Sequence, residues 1–249
     1  MPSRRPDFMP KNIKDFYGTK LAALDGDVGH ITDFYFDDKA WIIRYVVAET
    51  GSWLKGRTVL LSPFAFGSIY EEGKPLPLNL TRQQIQNSPP IETQLPVSRQ
   101  YEIKYYRHFG WPTYWEGSWS WGIGSYPVLL PTVNPDAAAP QFQHDQDDNH
   151  LRSTRAVDGY SVESLDGVIG HVCGFSSDPK TWKIHEVMVK TGPWYSGNEI
   201  LILPGQIDEI RFAEHKLMVN LTKEDAKMTT KDEIVQAGSG EFGAVEFHD

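Results

Sequence analysis

Several absences narrow what this chain can be before any motif is considered. It has one cysteine, Cys173, so no disulfide can form within the chain, which is typical of a reducing compartment. No apolar run approaches the length of a membrane span, because the longest, such as Trp41–Ala48, are interrupted by charges like Arg44. No apolar stretch follows the N-terminal arginines, so no secretory signal is predicted. We therefore expect a soluble cytoplasmic protein without a membrane span.

Positive charge and catalytic motifs are also scarce. The chain has 24 Lys and Arg against 33 Asp and Glu, a net charge of −9. Nucleic-acid binding and polybasic membrane contact both need clustered basic residues, so this balance disfavours both. The sequence contains no Gly-x-Ser-x-Gly motif, phosphate loop, dinucleotide fingerprint or Cys-x-x-Cys pair. We therefore expect no catalysis, no cofactor and no metal.

What the chain does contain is a duplication. Residues 18–87 and 159–228 align without a gap at an offset of 141, with about one third of the positions identical. The identical positions include Leu24-Asp25-Gly26 and Leu165-Asp166-Gly167, Gly29-His30 and Gly170-His171, Trp41 and Trp182, and Trp53 and Trp194. Because one register persists over the whole alignment, we predict two copies of one structural unit.

Each copy predicts short strands joined by tight turns. In the first copy, Asp25-Gly26 favours a hairpin turn because glycine adopts positive φ angles. Trp41–Thr50 is rich in β-branched and aromatic residues, as buried strands are. Thr58–Leu61 predicts a shorter strand, and Ser68–Tyr70 begins a final hairpin.

Each copy is then expected to end in a helical turn. Thr81 and Gln84 have the spacing of a capping box, and Thr222 precedes the acidic Glu224 and Asp225. The predicted fold class is mainly β, with two small closed six-stranded barrels, because closure removes exposed sheet edges.

The repeated motifs resemble the PRC-barrel family. They are Leu-Asp-Gly-x-x-Gly-His, then Phe-x-x-Asp, then Trp-x-Ile-x-x-Val and Thr-Gly-x-Trp. That family includes the cytoplasmic domain of the photosynthetic reaction centre H subunit and the second domain of the ribosome maturation factor RimM. The connecting segment, with Ser98-Arg99-Gln100 and Tyr106–Trp115, is similar to that of bacterial tandem members. The resemblance implies PRC-type barrels that dock other macromolecules without chemistry of their own.

The sequence predicts four regions: a first barrel at 12–90, a linker at 91–155, a second barrel at 156–234 and a flexible tail at 235–249. Within the linker, Ser98 caps a predicted helix near 98–109 that Gly110 ends. The later part of the linker, 131–155, predicts a flexible acidic connection.

Aromatic residues in loops and in the linker form the candidate interaction surface. Loop aromatics that a small core cannot hold are candidates for contact with another surface. The candidates are Trp53, Trp194, Tyr195, Tyr105, Trp111, Tyr114, Trp115, Trp119 and Trp121. Trp53 and Trp194 could instead cover the barrel mouths. The linker aromatics could pack within one chain or seal a homodimer.

Other residues with metal-binding or catalytic side chains have simpler interpretations. His30 and His171 each follow a turn glycine, where we expect a structural role. The His144–His150 segment has ligand types for a divalent ion, but its spacing matches no known site and predicts solvated charge. Paired acids such as Asp37-Asp38 should lie on exposed turns, and Cys173 should be a small buried hydrophobe.

Three functional hypotheses follow. The leading one is a non-catalytic protein-interaction or assembly module whose partner the sequence does not name. The second is an RNA- or ribosome-associated factor, because small barrels with exposed aromatics can stack bases. The third is a ligand-binding protein or enzyme with a pocket between the barrels.

Overall fold

The structure is a computed structural model. It describes residues 11–66, 73–90, 97–122, 124–129, 150–193 and 197–227. The chain divides into two compact units. Unit 1 comprises Met1–Val157 and Gly174–His185, and unit 2 comprises Asp158–Cys173 and Glu186–Asp249. Unit 1 therefore includes a short piece of the second sequence copy.

The first five strands follow one another in the same order in the two halves of the chain, and the elements after them differ. The first half has β1 (Lys11–Asn12), β2 (Lys20–Ala23), β3 (Gly26–Asp37), β4 (Ile42–Thr50), β5 (Thr58–Leu61), β6 (Leu76–Pro77), α1 (Arg82–Gln86) and α2 (Arg99–Phe109). The second has β7 (Leu151–Ser153), α3 (Thr154–Val157), β8 (Ser161–Ser164), β9 (Gly167–Ser177), β10 (Ile184–Thr191), β11 (Glu199–Ile202), β12 (Ile207–Arg211), β13 (Lys216–Val219) and α4 (Lys223–Lys227).

The mainly β class is confirmed. One sheet has the strand order β5-β4-β3-β2-β6, with β7 also pairing with β3. The other has the order β11-β10-β9-β8-β13-β12, with β1 also pairing with β9. Within the described residues neither path of hydrogen-bonded strands closes on itself, so the closed barrel stays a prediction. The predicted strand at Ser68–Tyr70 lies outside the described residues.

The predicted local signals place most elements correctly. Gly26 has a φ of 143° at the start of β3, as a hairpin turn after Asp25 requires. Thr81 and Gln84 form the predicted capping box at α1. At α4, Thr222 Oγ1 accepts a hydrogen bond from the backbone N–H of Asp225 at 3.2 Å. Local turn and cap chemistry therefore fixes where these elements begin and end.

The correspondence extends upstream of the aligned sequence. The offset of 141 carries β1 onto β7, and it carries the 3-10 helix Ile13–Phe16 onto α3. Within unit 1, β1 pairs with the end of β9 (Lys11 opposite Ser177), and β7 pairs with the end of β3 (Arg152 opposite Phe36). The two pairings have the same register once the offset is applied.

The acidic turn after β3 differs from the sequence expectation. Asp37 was predicted to lie on an exposed turn, but it is only 8% exposed, and the equivalent Asp178 is 5% exposed. Asp37 Oδ1 accepts hydrogen bonds from the backbone N–H groups of Lys39 and Ala40, and Oδ2 lies 3.7 Å from Nη2 of the buried Arg44. The predicted turn at Asp37 is therefore confirmed, but its predicted exposure is wrong. Hydrogen bonds and an ion pair offset the cost of burying the carboxylate.

The end of the predicted acidic connection is also different. Leu151–Ser153 forms β7, and the Arg152 Nε donates to Asp38 at 2.6 Å. Ser153 and Thr154 hydroxyls donate to Asp33. The prediction of a flexible connection up to 155 is therefore wrong for residues 151–155. Pairing with β3 satisfies backbone groups that a loop would leave to water.

Candidate functional site

The linker helix α2 is the element around which the aromatic residues of unit 1 gather. Ser98 Oγ accepts a hydrogen bond from the backbone N–H of Tyr101 at 3.3 Å, and Gly110 ends the helix with a φ of 66°. Tyr101, Tyr105 and Phe109 stack along one side with ring centroids 6.1 and 4.9 Å apart. The predicted helix is present, and the spacing of four residues between these rings places them on one side of it.

This side packs against β4 and the edge strand β5. The Tyr45 and Tyr105 rings meet edge to face at 5.4 Å. The Tyr105 hydroxyl donates to the Leu60 carbonyl at 3.0 Å and accepts from the Ser62 backbone N–H at 3.1 Å. Burial raises the pKa of Tyr105 well above its usual value. The hydroxyl thus satisfies the hydrogen bonding of a carbonyl and an N–H at the sheet edge. Without it, these groups would be available to pair with another strand.

A fully buried acid lies where α2 meets the sheet. Glu102 is 0% exposed. Its Oε1 accepts from the hydroxyls of Tyr45 at 3.0 Å and Tyr114 at 2.7 Å, and its Oε2 accepts from Arg99 Nη1 at 2.9 Å. Burial raises the pKa of Glu102 more than the nearby Arg99 and His150 lower it. Protein donors therefore hold both carboxylate oxygens, an arrangement that fixes α2 on β4.

His150 joins this cluster and corrects the expectation of solvated charge for the 144–150 segment. His144 lies outside the described residues, but His150 is only 3% exposed. Its Nε2 lies 2.9 Å from the Tyr114 hydroxyl and 3.6 Å from Glu102 Oε2. The histidine is held by the Glu102 cluster, which lies far away in sequence.

Arg44 is another buried charged residue of unit 1. It is 4% exposed. Its guanidinium lies 3.8 Å from the Tyr114 ring centroid and 4.9 Å from that of Trp121, and Nη1 donates to the Ser120 carbonyl at 2.5 Å. Stacking between aromatic faces suits arginine because its planar cation is weakly hydrated. Arg44 therefore fixes the segment after α2 to β4.

One tryptophan of this segment is exposed to solvent on a turn that depends on glycine. Trp119 is 62% exposed, and its N–H and carbonyl both bond to Gly122 at 3.2 Å. A Cβ at Gly117 would overlap the Gly122 carbonyl oxygen, so the turn requires glycine there. The neighbouring Trp121 is 1% exposed, and its ring centroid lies 5.4 Å from that of Phe64. This packing anchors the turn to the core of unit 1.

The nine aromatic candidates thus separate into distinct groups. Tyr105, Trp111, Tyr114 and Trp121 are buried within unit 1. Trp115 and Trp53 are half-buried, and Trp119 is exposed. Trp194 and Tyr195 lie outside the described residues. Of the two alternatives for the linker, packing within one chain therefore accounts for the four buried members.

Trp53 packs over the start of a strand of its own copy and is not a freely exposed contact residue. Its Nε1 donates to the Val28 carbonyl at 2.6 Å. The Arg82 guanidinium lies 4.5 Å from the Trp53 ring, and the Arg82 backbone N–H donates to Asp25. These contacts hold the loop that carries Trp53 against the start of β3.

The repeated histidines are on the surface. His30 Nε2 lies 3.9 Å from Glu49 Oε2, and both side chains are about half exposed. His171 is exposed as well. Cys173 is half-buried, so the expectation of full burial was too strong. Within the ranges that the structure describes, no group of three His, Cys, Asp or Glu could hold a metal ion.

The sequence contained a signal for the buried cluster that we did not use. Glu102 stands three or four residues from Arg99, Tyr105 and Tyr106, so helical spacing places an acid next to the aromatic side. A charged residue bordering an apolar helix side indicates a buried partner. The partners themselves, Tyr45 and His150, could not be identified by spacing.

Comparison with known proteins gives no family assignment. No protein-family model matches the chain, and no curated protein matches it in sequence. In the described part of the chain, no helix is long and apolar enough to cross a membrane.

Proposed function

We propose that this chain is a non-catalytic protein-interaction or assembly module built from two PRC-type barrels. The repeated Leu-Asp-Gly-x-x-Gly-His motifs support the barrel type. The observation that carries the function is Trp119, a large apolar side chain that a glycine-dependent turn holds 62% exposed.

An exposed tryptophan on a hydrogen-bonded turn is better placed to bind a partner than to stabilise the fold. Interface residues that contribute most to affinity are enriched in tryptophan, and a backbone turn already held by hydrogen bonds loses less entropy on binding. The apolar residues that follow, Tyr126, Val128 and Leu129, are each more than half exposed. They add exposed apolar side chains shortly after the turn in sequence, and the occupant that fits Trp119 is a protein surface with an apolar pocket.

The test uses a photo-crosslinking phenylalanine analogue placed at position 119 of the full chain in cells. We expect one discrete protein adduct at 119, and none from the same analogue at the exposed Lys20 position. With the adduct's protein purified, Trp119→Ala should weaken its binding about tenfold or more while the thermal midpoint is unchanged. Equal labelling from both positions, or unaltered affinity of Trp119→Ala, would contradict the proposal.

A further inference from the structure

The sheet face that α2 covers in the first copy has an equivalent in the second copy. Position by position, Tyr45, Val47, Ser62 and Phe64 correspond to Glu186, Met188, Leu203 and Gly205. The two faces are built alike, because Val47 is opposite Leu60 on β4 and β5, and Met188 is opposite Leu201 on β10 and β11.

The two faces differ in exposure. Ser62 is 0% exposed and its counterpart Leu203 is 47% exposed. Tyr45 and Val47 are buried, whereas Glu186 and Met188 are half-exposed. The described residues end with α4 at residue 227, and no counterpart of α2 is among them. At this position unit 2 has an exposed apolar leucine where unit 1 has a buried serine.

The charge of the second face also differs. In unit 1 the Tyr45 hydroxyl donates to the acid of α2, Glu102. In unit 2 the same position holds an acid, Glu186, which forms no ion pair with the described residues. A helix lying here as α2 lies on β4 would bring its residue equivalent to Glu102 next to Glu186. That residue should be basic, because a second acid would be repelled.

We propose that the face formed by Glu186, Met188 and Leu203, beside the buried Leu201, binds an amphipathic helix of a partner protein, apolar on one side and carrying a lysine or arginine that pairs with Glu186. The net charge of −9 favours approach of a basic segment. The chain's own residues 228–249 fit less well, since they hold five acids against one lysine. The site is independent of Trp119.

The experiment uses the full chain and a labelled peptide with the sequence of residues 97–111 in which Glu102 is replaced by lysine. Fluorescence anisotropy should show binding that Leu203→Asp weakens about tenfold. Leu203 is exposed, so this variant keeps its fold, which circular dichroism checks. Trp119→Ala should leave the peptide affinity unchanged, which separates this site from the proposed function.

A charge exchange provides the decisive control. Glu186→Lys should weaken the lysine peptide and strengthen the unaltered peptide, which carries Glu102. Affinities that do not follow this exchange would overturn the proposal. Deletion of 228–249 gives the second arm: a deleted chain that binds the peptide several-fold more tightly would identify the tail as the occupant and would also overturn it. Unchanged binding supports a partner helix.

Discussion

The two sequence copies share their turns but differ in what packs on them. In the first copy, β4 is buried along almost its whole length, with only Glu49 exposed, because α2 covers one face. In the second, only four of the eight β10 residues are buried, and the others are half-exposed or exposed. The interior positions Val46 and Val187 are identical, while the positions facing α2 have diverged. The difference teaches that the hairpin is specified by residues common to both copies, and its outer surface by residues of one copy only.

The largest expected effect tests what the copies share. A Cβ at Gly29 would overlap the carbonyl oxygen of Glu49, and one at Gly170 would overlap that of Lys190. Gly29→Ala should lower the unfolding free energy of unit 1, and Gly170→Ala that of unit 2, by about 3 kcal/mol or more. Urea unfolding followed by hydrogen exchange locates each loss. An effect in only one copy would show that the hairpins are not equivalent.

The next effect tests the difference between the copies. Glu102→Gln replaces one carboxylate oxygen by an amide N–H₂, which cannot accept a hydrogen bond from the donors that surround it. The unfolding free energy of unit 1 should therefore fall by about 3 kcal/mol. The matched control Glu186→Gln, on the half-exposed face, should change stability by less than about 0.5 kcal/mol. Urea midpoints measure both. Similar losses would mean that unit 2 also buries its acid.

A smaller effect separates edge capping from general packing. Tyr105→Phe keeps the ring but removes the hydroxyl between the Leu60 carbonyl and the Ser62 N–H, so we expect a loss of about 1–2 kcal/mol. Leu203→Ser places the first-copy residue in the second copy and should change stability by only a few tenths of a kcal/mol. Both are checked by thermal unfolding. A neutral Tyr105→Phe would show that water replaces the hydroxyl.

The smallest effect concerns pH. Burial raises the pKa of Glu102 above its usual 4.5. In the window above 4.5 the unfolded chain has released this proton while the folded chain still holds it. The contribution of Glu102 to stability should therefore be greatest below pH 4.5, fall as pH rises, and level off above the raised pKa. The stability of wild type minus that of Glu102→Gln, measured from pH 4 to 8, should decline. A rising difference would mean that donors outweigh burial.

Much of the fold could be predicted from local patterns, and much of the site could not. Thr58–Leu61 forms a strand at the expected residues, and α2 runs from the expected cap to Gly110. Trp119 was among the candidates, but four of the others are buried. Amphipathic spacing shows which residues leave water together, yet an exposed partner and an internal one produce the same spacing.

The sequence by itself indicated the duplication, through one alignment register kept over both segments. It also determined the positions of the turns and caps and the mainly β class, because these depend on neighbours a few residues apart. The tertiary structure alone decided the surroundings of Glu102, which meets Tyr45 across 57 positions of chain. It also decided that His150 is buried rather than solvated, through a contact 36 positions away. Contacts over such separations are set by how whole elements pack, and no local preference encodes them.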